Sequence, residues 1–293
     1  MDNFIVLYNP LAGNGTAQDK MRELESLMQG DRLYFSNMLD IRDYGAFFND
    51  MPDGASIIIC GGDGTLNRFL NDTEDIRPDC DIYYYPSGSG NDFARDIDAE
   101  RGASPVLINR YIERLPKICV NGKEHRFING IGYGIDGYCC EKGDELRGKG
   151  NGEVNYTAIA IKGLLFHYKP TGATITVDGV EHRFEKVWLA PTMIGRYYGG
   201  GMMPTPEQDR LNGDGAVSVT VYYGSGKLKS LAVFPSIFKG EHIKHSEMVA
   251  VLSGRNITVC FDEPRPLQID GETVPGVREY SVTACEEKVL QPA

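Results

Sequence analysis

Three glycine-rich segments, each directly behind a short apolar run, constrain this chain more than any other feature. They are Asn9-Pro10-Leu11-Ala12-Gly13-Asn14-Gly15 behind 4–8, Gly61-Gly62-Asp63-Gly64-Thr65 behind 55–60, and Pro86-Ser87-Gly88-Ser89-Gly90-Asn91-Asp92 behind 81–85. Continuous apolar runs of this length read as strands covered on both faces. A helical pattern over about 17–28 follows the first segment, with Thr16 as its N-cap and Asp19 in its first turn. Strands alternating with helices predict a mostly parallel α/β sheet. Ligands of such sheets bind at the carboxyl ends of the strands, so all three loops are expected at one edge. Glycine lets backbone approach an anion closely, N–H groups can line up on its oxygens, and a following helix N-terminus adds a favourable field. Asp63 is placed to hold Mg2+, directly or through water, because Mg2+ dehydrates reluctantly. Singly, each segment reads as well as a tight turn or a link. Their conjunction at successive strand ends predicts a polyphosphate site.

From about residue 117 the pattern changes to antiparallel β. Asn121-Gly122 and Asp178-Gly179 are hairpin signals, and strand-like runs follow at 174–177, 184–190, 216–223, 257–261 and 280–284. Helical insertions are expected near 154–166 and 227–238. The net charge of −11 argues against nucleic-acid binding, which needs a broad basic surface. Seven cysteines without a CxxC pair fit a reduced, cytoplasmic setting better than a disulfide framework. No apolar run approaches the roughly 20 residues of a membrane span.

The pair Gly61-Gly62-Asp63-Gly64-Thr65-Leu66-Asn67 and Pro86-Ser87-Gly88-Ser89-Gly90-Asn91-Asp92-Phe93-Ala94-Arg95 closely resembles the diacylglycerol-kinase catalytic family. Bacterial soluble lipid kinases, sphingosine kinases and ceramide kinases belong to the same superfamily. Further elements resemble that family downstream: Tyr198-Gly199-Gly200-Gly201 with Pro204, Leu211-Asn212-Gly213-Asp214-Gly215-Ala216, and Ile269-Asp270-Gly271-Glu272. The resemblance implies an ATP- and Mg2+-dependent phosphotransferase acting on a lipid hydroxyl, diacylglycerol or a related lipid. It implies a nucleotide-binding α/β domain over 1–117 and a β-sandwich domain for lipid and catalysis over 118–285. Residues 286–293 are expected to return to the first domain. Asn9, Pro10 and Gly13 would form the first nucleotide loop, Gly61, Gly62, Asp63, Gly64, Thr65 and Asn67 the second, and Gly88 and Ser89 the third. Asp270 and Glu272 match the catalytic carboxylates, one of which accepts the alcohol proton. The Leu211 carbonyl, Asp214 and the Ala216 carbonyl match a structural Mg2+ site, with Asp63 serving the Mg2+ of ATP. Ser89 stands where threonine is common, and 38–43 lacks the threonine often found beside the nucleotide.

Two rivals share part of these features. An NAD kinase carries the GGDGT element and would need a polar second pocket. A nucleotide or lipid sensor without turnover would share the fold, although Asp63, Asp214, Asp270 and Glu272 together speak for catalysis. Other suggestions fail on detail. The near P-loop from Gly143 to Gly150 lacks the Mg2+-binding hydroxyl, and 209–220 lacks the bidentate glutamate of a calcium loop. The five scattered histidines support no zinc site. Lys227, Lys229, Lys239 and Lys244 interleave with Leu228, Leu231, Phe234, Ile237 and Phe238. This reads either as a core-facing helix with a solvated basic side or as a helix lying on an anionic lipid surface. The expected setting is the cytoplasm, with peripheral contact at the inner membrane face. Lipid identity and oligomeric state stay open, a homodimer included.

Overall fold

The computed structural model describes residues 2–10, 17–76, 78–88, 90–148, 159 and 162–285. The chain falls into two compact units, Met1–Glu113 and Arg114–Ala293.

The first unit is a five-stranded sheet with helices. Its strands are β1 (Asn3–Tyr8), β2 (Arg32–Asn37), β3 (Ser56–Gly61), β4 (Ile82–Pro86) and β5 (Val106–Leu107), in the order β2-β1-β3-β4-β5. The first four run parallel and β5 is antiparallel. Ile57, Ile58 and Ile59 are fully buried, as expected where both sheet faces are covered. The helices are α1 (Ala17–Leu27), α2 (Tyr44–Asn49), α3 (Asp63–Asp72), α4 (Asp92–Asp96) and α5 (Asn109–Ile112). Asp43 caps α2 by accepting from the Ala46 N–H at 3.0 Å. One face of α3 carries the buried Thr65, Leu66, Phe69 and Leu70, with Phe69 edge-on to Tyr44 of α2.

The second unit is antiparallel β with helical insertions. Its strands are β6 (Lys117–Val120), β7 (Lys123–Arg126), β8 (Gly130–Tyr133), β9 (Thr171–Val177), β10 (Val180–Val187), β11 (Thr192–Met193), β12 (Val217–Tyr222), β13 (Val249–Gly254), β14 (Asn256–Ile269) and β15 (Glu272–Thr283). They pair in the order β13-β12-β11-β8-β14-β15-β6-β7, and the β9–β10 hairpin joins through β14. Both expected two-residue hairpins form, with positive φ at Asn121 and Gly122 and at Asp178 and Gly179. A third joins β14 to β15 through Asp270-Gly271, placing Ile269 opposite Glu272. Tyr133 packs against Phe261 at 4.3 Å and Tyr280 at 5.4 Å between ring centroids.

The helical insertions differ from expectation. Residues 135–148, where the near P-loop begins, form a 14-residue helix, α6 (Ile135–Gly148), lying on β14 and β15. The helix expected over 227–238 is α only as far as α7 (Lys227–Val233), then continues as a 3-10 turn over Phe234–Lys239. Pro235 has no N–H to donate and would break an α-helical ladder there. A second 3-10 turn covers Glu241–Lys244. Of the helix expected over 154–166, much lies outside the described residues; a π-helical turn covers Gly163–His167. The Thr16 cap and the return of 286–293 also lie outside them. No helix among the described residues is long and apolar enough to cross a membrane.

Candidate functional site

In the first unit β1, β3 and β4 are neighbours, so the chain leaves all three at the same sheet edge. β2 lies to one side of β1 and β3 to the other, making the crevice outside the carboxyl ends of β1 and β3 a topological switch point. Asn9 and Pro10 leave β1 directly and are half-buried. Gly13 and Ser89 lie outside the described residues.

The second and third loops touch. Gly61 ends β3, Gly62 is the N-cap of α3, and Asp63 opens the helix. A Cβ on Gly88 would lie 2.5 Å from the Cα of Gly62, so the two backbones cross where only glycine fits. The Ser87 N–H donates to the Gly61 carbonyl at 2.9 Å. Asn91, in the left-handed region at φ 54°, closes the third loop. Its Oδ1 accepts from the Gly88 N–H at 3.0 Å and its Nδ2 donates to the Gly88 carbonyl at 2.8 Å.

Asp63 ties the two loops together. Its Oδ2 accepts from the Asp92 N–H at 2.9 Å and its Oδ1 from the Phe93 N–H at 3.0 Å. Each oxygen expected to face Mg2+ is thus engaged by the first turn of α4, and the carboxylate is a strut before it is a ligand. Thr65 is buried under Gly61, where a Cβ would meet its hydroxyl at 2.4 Å. A Cβ on Gly64 would meet open space. Asn67 lies a turn into α3, its carbonyl and Oδ1 accepting from Asn71 Nδ2.

In the second unit Asp270 occupies a left-handed turn position, φ 45°, and is half-buried. Its carboxylate accepts three backbone N–H groups: Ile128 at 2.6 Å, Asn129 at 2.9 Å and Gly130 at 3.0 Å. Arg210 grips the same segment through its acceptors, donating to the Ile128 carbonyl and, at 3.2 Å, to Asn129 Oδ1. Glu272, two residues from Asp270, is exposed, and among the described residues no partner engages its carboxylate.

The loop after Arg210 holds the expected structural Mg2+ ligands. The Ala216 carbonyl accepts from Gln208 Nε2 and from Asn212 Nδ2, both at 2.8 Å. Asn212 Nδ2 also donates to the Asp209 carbonyl at 2.7 Å. Both lone pairs of the Ala216 oxygen are therefore used by amides, and Asp214 Oδ1 accepts from the Ala216 N–H at 3.3 Å. In this arrangement the amides occupy the Ala216 carbonyl, so a cation held by Leu211, Asp214 and Ala216 would have to displace at least one of them.

Sequence reasoning missed Asn91, Arg210 and one buried acid. Asp136, at the start of α6, is 7 % exposed and receives a hydrogen bond from the equally buried Tyr198 hydroxyl. Burial pushes its carboxyl up to about 6, against the pull of the Tyr198 hydrogen bond. Nothing local to residue 136 signals this contact, since its partner lies 62 residues away.

A parallel sheet with a glycine-lined switch point, followed by an antiparallel unit carrying two carboxylates on one hairpin, defines the two-domain fold class of NAD kinases and diacylglycerol kinases. The family model described as the diacylglycerol kinase catalytic domain matches residues 3–117, and the YegS C-terminal NAD kinase beta sandwich-like domain matches 129–286. The chain belongs to the diacylglycerol kinase family of phosphotransferases, whose acceptor is an alcohol. A Mycobacterium tuberculosis (strain ATCC 25618 / H37Rv) protein named diacylglycerol kinase is 27% identical over 246 residues, covering 81% of this chain and 77% of the relative. A Bacillus subtilis (strain 168) diacylglycerol kinase is 28% identical over 224 residues, 74% of this chain and 70% of the relative. The crystal structure of a diacylglycerol kinase from Bacillus anthracis str. Sterne shares the fold, with TM-score 0.59 and 19% identity over 97% of this chain and 94% of that one.

Two outcomes follow from this geometry. Asn212→Ala lowers stability by about 1–2 kcal/mol by removing amide bridges, while EDTA leaves the wild-type melting temperature unchanged; a melting temperature that falls on chelation would restore the metal reading. For Asp136, a folded pKa above the unfolded carboxylate value means the native state binds more protons between roughly pH 4 and 6, so its burial lowers stability as pH rises through that window. Asp136→Asn therefore stabilises the protein at pH 8, by up to about 3 kcal/mol, and the gain disappears by pH 4. Denaturant midpoints of both proteins across that range check it.

Proposed function

We propose that this chain is an ATP- and Mg2+-dependent lipid kinase that phosphorylates a hydroxyl of diacylglycerol or a closely related lipid. It would work in the cytoplasm and at a membrane surface, peripherally, because its acceptor resides in a bilayer. The observation that carries the nucleotide half is that glycine-rich segments leave the neighbouring carboxyl ends of β1, β3 and β4, and that Asp63 locks the second and third of them together. Asn9 and Pro10, which leave β1, would line one side of such a cradle, and Gly61, Gly62, Gly64, Thr65 and Gly88 the other; Gly13 and Ser89, expected in it, lie outside the described residues. The α3 N-terminus adds N–H groups without intrahelical partners and the positive end of its dipole. Asn67 supports the cradle from α3 through its tie to Asn71.

Phosphoryl transfer is mostly positioning and charge neutralisation, and a bound Mg2+ would supply much of the latter. With one lone pair on each oxygen given to α4, Asp63 would serve that ion through water and through the loop geometry it maintains. At the acceptor end, Asp270 and Glu272 present two carboxylates on one turn. Asp270 is oriented by three N–H donors, and Glu272 is exposed beside it. One of them accepts the alcohol proton as the oxygen attacks.

A labelled-ATP assay against diacylglycerol, a monoacylglycerol, a sphingoid base, phosphatidylglycerol and NAD, with products separated by chromatography, tests the reading. Label on a neutral glycerolipid is expected; label on NAD alone would overturn it. Glu272→Gln and Asp270→Asn each reduce turnover by about 100-fold or more. Only Asp270→Asn also loses stability, by about 1–3 kcal/mol, because its NH2 meets a backbone N–H. Asp63→Ala loses turnover that raised Mg2+ does not restore; restoration by Mg2+ would return Asp63 to the role of metal anchor.

A further inference from the structure

The helix at 227–233 buries Ser230 and Val233 and packs Leu231 against the core of the second unit. Its other side is not merely solvated. Leu228 is 79 % exposed and Phe238, on the 3-10 turn that continues the helix, 47 %. α7 packs beside the π-helical turn Gly163–His167, whose Phe166 is 73 % exposed. Isolated exposed apolar residues are ordinary, but here three bulky ones project from adjoining elements.

The charge around them is unlike that of the chain as a whole. Segments 162–170 and 224–240 hold Lys162, Lys169, Lys227, Lys229 and Lys239, and no aspartate or glutamate, in a protein of net charge −11. Acids of the following segment reach one of these lysines and the next along the chain: Glu247 pairs with Lys229 at 2.8 Å, and Glu241 with Lys244 at 3.1 Å. Exposed apolar side chains interleaved along the chain with lysines match a bilayer carrying anionic headgroups, where the side chains enter the acyl boundary and the ammonium groups meet phosphate. A solvated protein face needs no such apolar side chains.

We infer that Phe166, Leu228 and Phe238, with Lys162, Lys227, Lys229 and Lys239, form the surface on which this enzyme docks to an anionic bilayer. The inference rests on the lipid-kinase reading for its purpose, but not for its test. Docking holds the second unit at the acyl boundary, where a diacyl substrate resides. It also uses the two weak signals, apolar insertion and basic charge, that together give reversible attachment.

The test is co-sedimentation of the full chain with phosphatidylcholine vesicles, with and without phosphatidylglycerol, for wild type and for Phe166→Ser/Leu228→Ser. Both side chains are exposed, so the double variant should keep the wild-type melting temperature. Wild type is expected on the anionic vesicles only, and the variant to partition roughly tenfold less. Phosphorylation of vesicle-borne lipid should fall by a similar factor, while phosphorylation of a dissolved short-chain acceptor stays unchanged. Equal partitioning of the two proteins, or equal wild-type binding to both vesicle types, overturns the docking surface. So does a wild-type dimer by light scattering that the double substitution converts to monomer, since the patch is then an interface between copies. Normal vesicle binding with no transfer to any dissolved lipid would instead remove the kinase reading and leave the docking surface standing.

Discussion

Two backbone N–H groups from the first turn of α4 meet the two carboxylate oxygens of Asp63, and the spacing of the two glycine-rich loops behind β3 and β4 depends on that bracket. Hydrogen bonds to a charged acceptor contribute about 1.5–3 kcal/mol each when partly shielded, which is enough to hold a glycine-rich loop in one conformation. Gly62 and Gly88 then cross with no room for a Cβ, and Asn91 closes the third loop on itself. Glycine gives the backbone access to an anion but costs conformational entropy. The strut limits that cost by holding the described parts of the second and third loops in one arrangement. An acid at the start of α3 also sits favourably in the helix field.

The parts of this arrangement visible in the sequence were those governed by local rules. β1, β3 and β4 show themselves as apolar runs, and Asn121-Gly122 and Asp178-Gly179 as turns that require positive φ. β2 does not, because an edge strand reading Arg32-Leu33-Tyr34-Phe35-Ser36-Asn37 has only a partly buried face. β8 is concealed by its glycines, though it is buried along its whole length. α6 contains Gly137 and Gly143 and a pair of cysteines, a weak helical sequence that packing on β14 and β15 overrides. The same limit applies to the site. The motifs expose Asp63 and Asp270 as acids of interest, yet their partners lie about 30 and 140 residues away. A role that depends on such contacts has no local signature.

Asp136 shows what that limit conceals. A carboxyl group enclosed by Tyr198 and the aromatic core near Tyr168, Trp188 and Tyr222 works against stability at neutral pH. The hydrogen bond from Tyr198 offsets only part of the desolvation. Replacing such a group by a neutral one of the same shape is the usual route to a more stable core. Its presence here is the sort of local conflict expected where a fold serves chemistry as well as stability.

The Asp270 hairpin has an internal control. Asp178 occupies the same position in another Asp-Gly turn, with the same positive φ, and its carboxylate also accepts backbone N–H groups, from Arg255 and from Asn256 at 2.8 Å. The Asn256 N–H holds the Asp178 carboxyl below its ordinary range, although the residue is exposed. Clamping of neighbouring N–H groups is therefore what an Asp-Gly turn does in this sheet, and it does not mark Asp270 as catalytic. The two turns differ in what surrounds them. Gly179 is followed by Val180, whereas Gly271 is followed by the exposed Glu272; and Arg210 secures the segment that Asp270 holds, while Gln268 Oε1 accepts from the Gly271 N–H at 2.6 Å. A turn secured on both sides, with a carboxylate at its exit that none of the described residues engages, has the rigidity and the chemistry that presenting a base requires. The plain turn at Asp178 has only the rigidity.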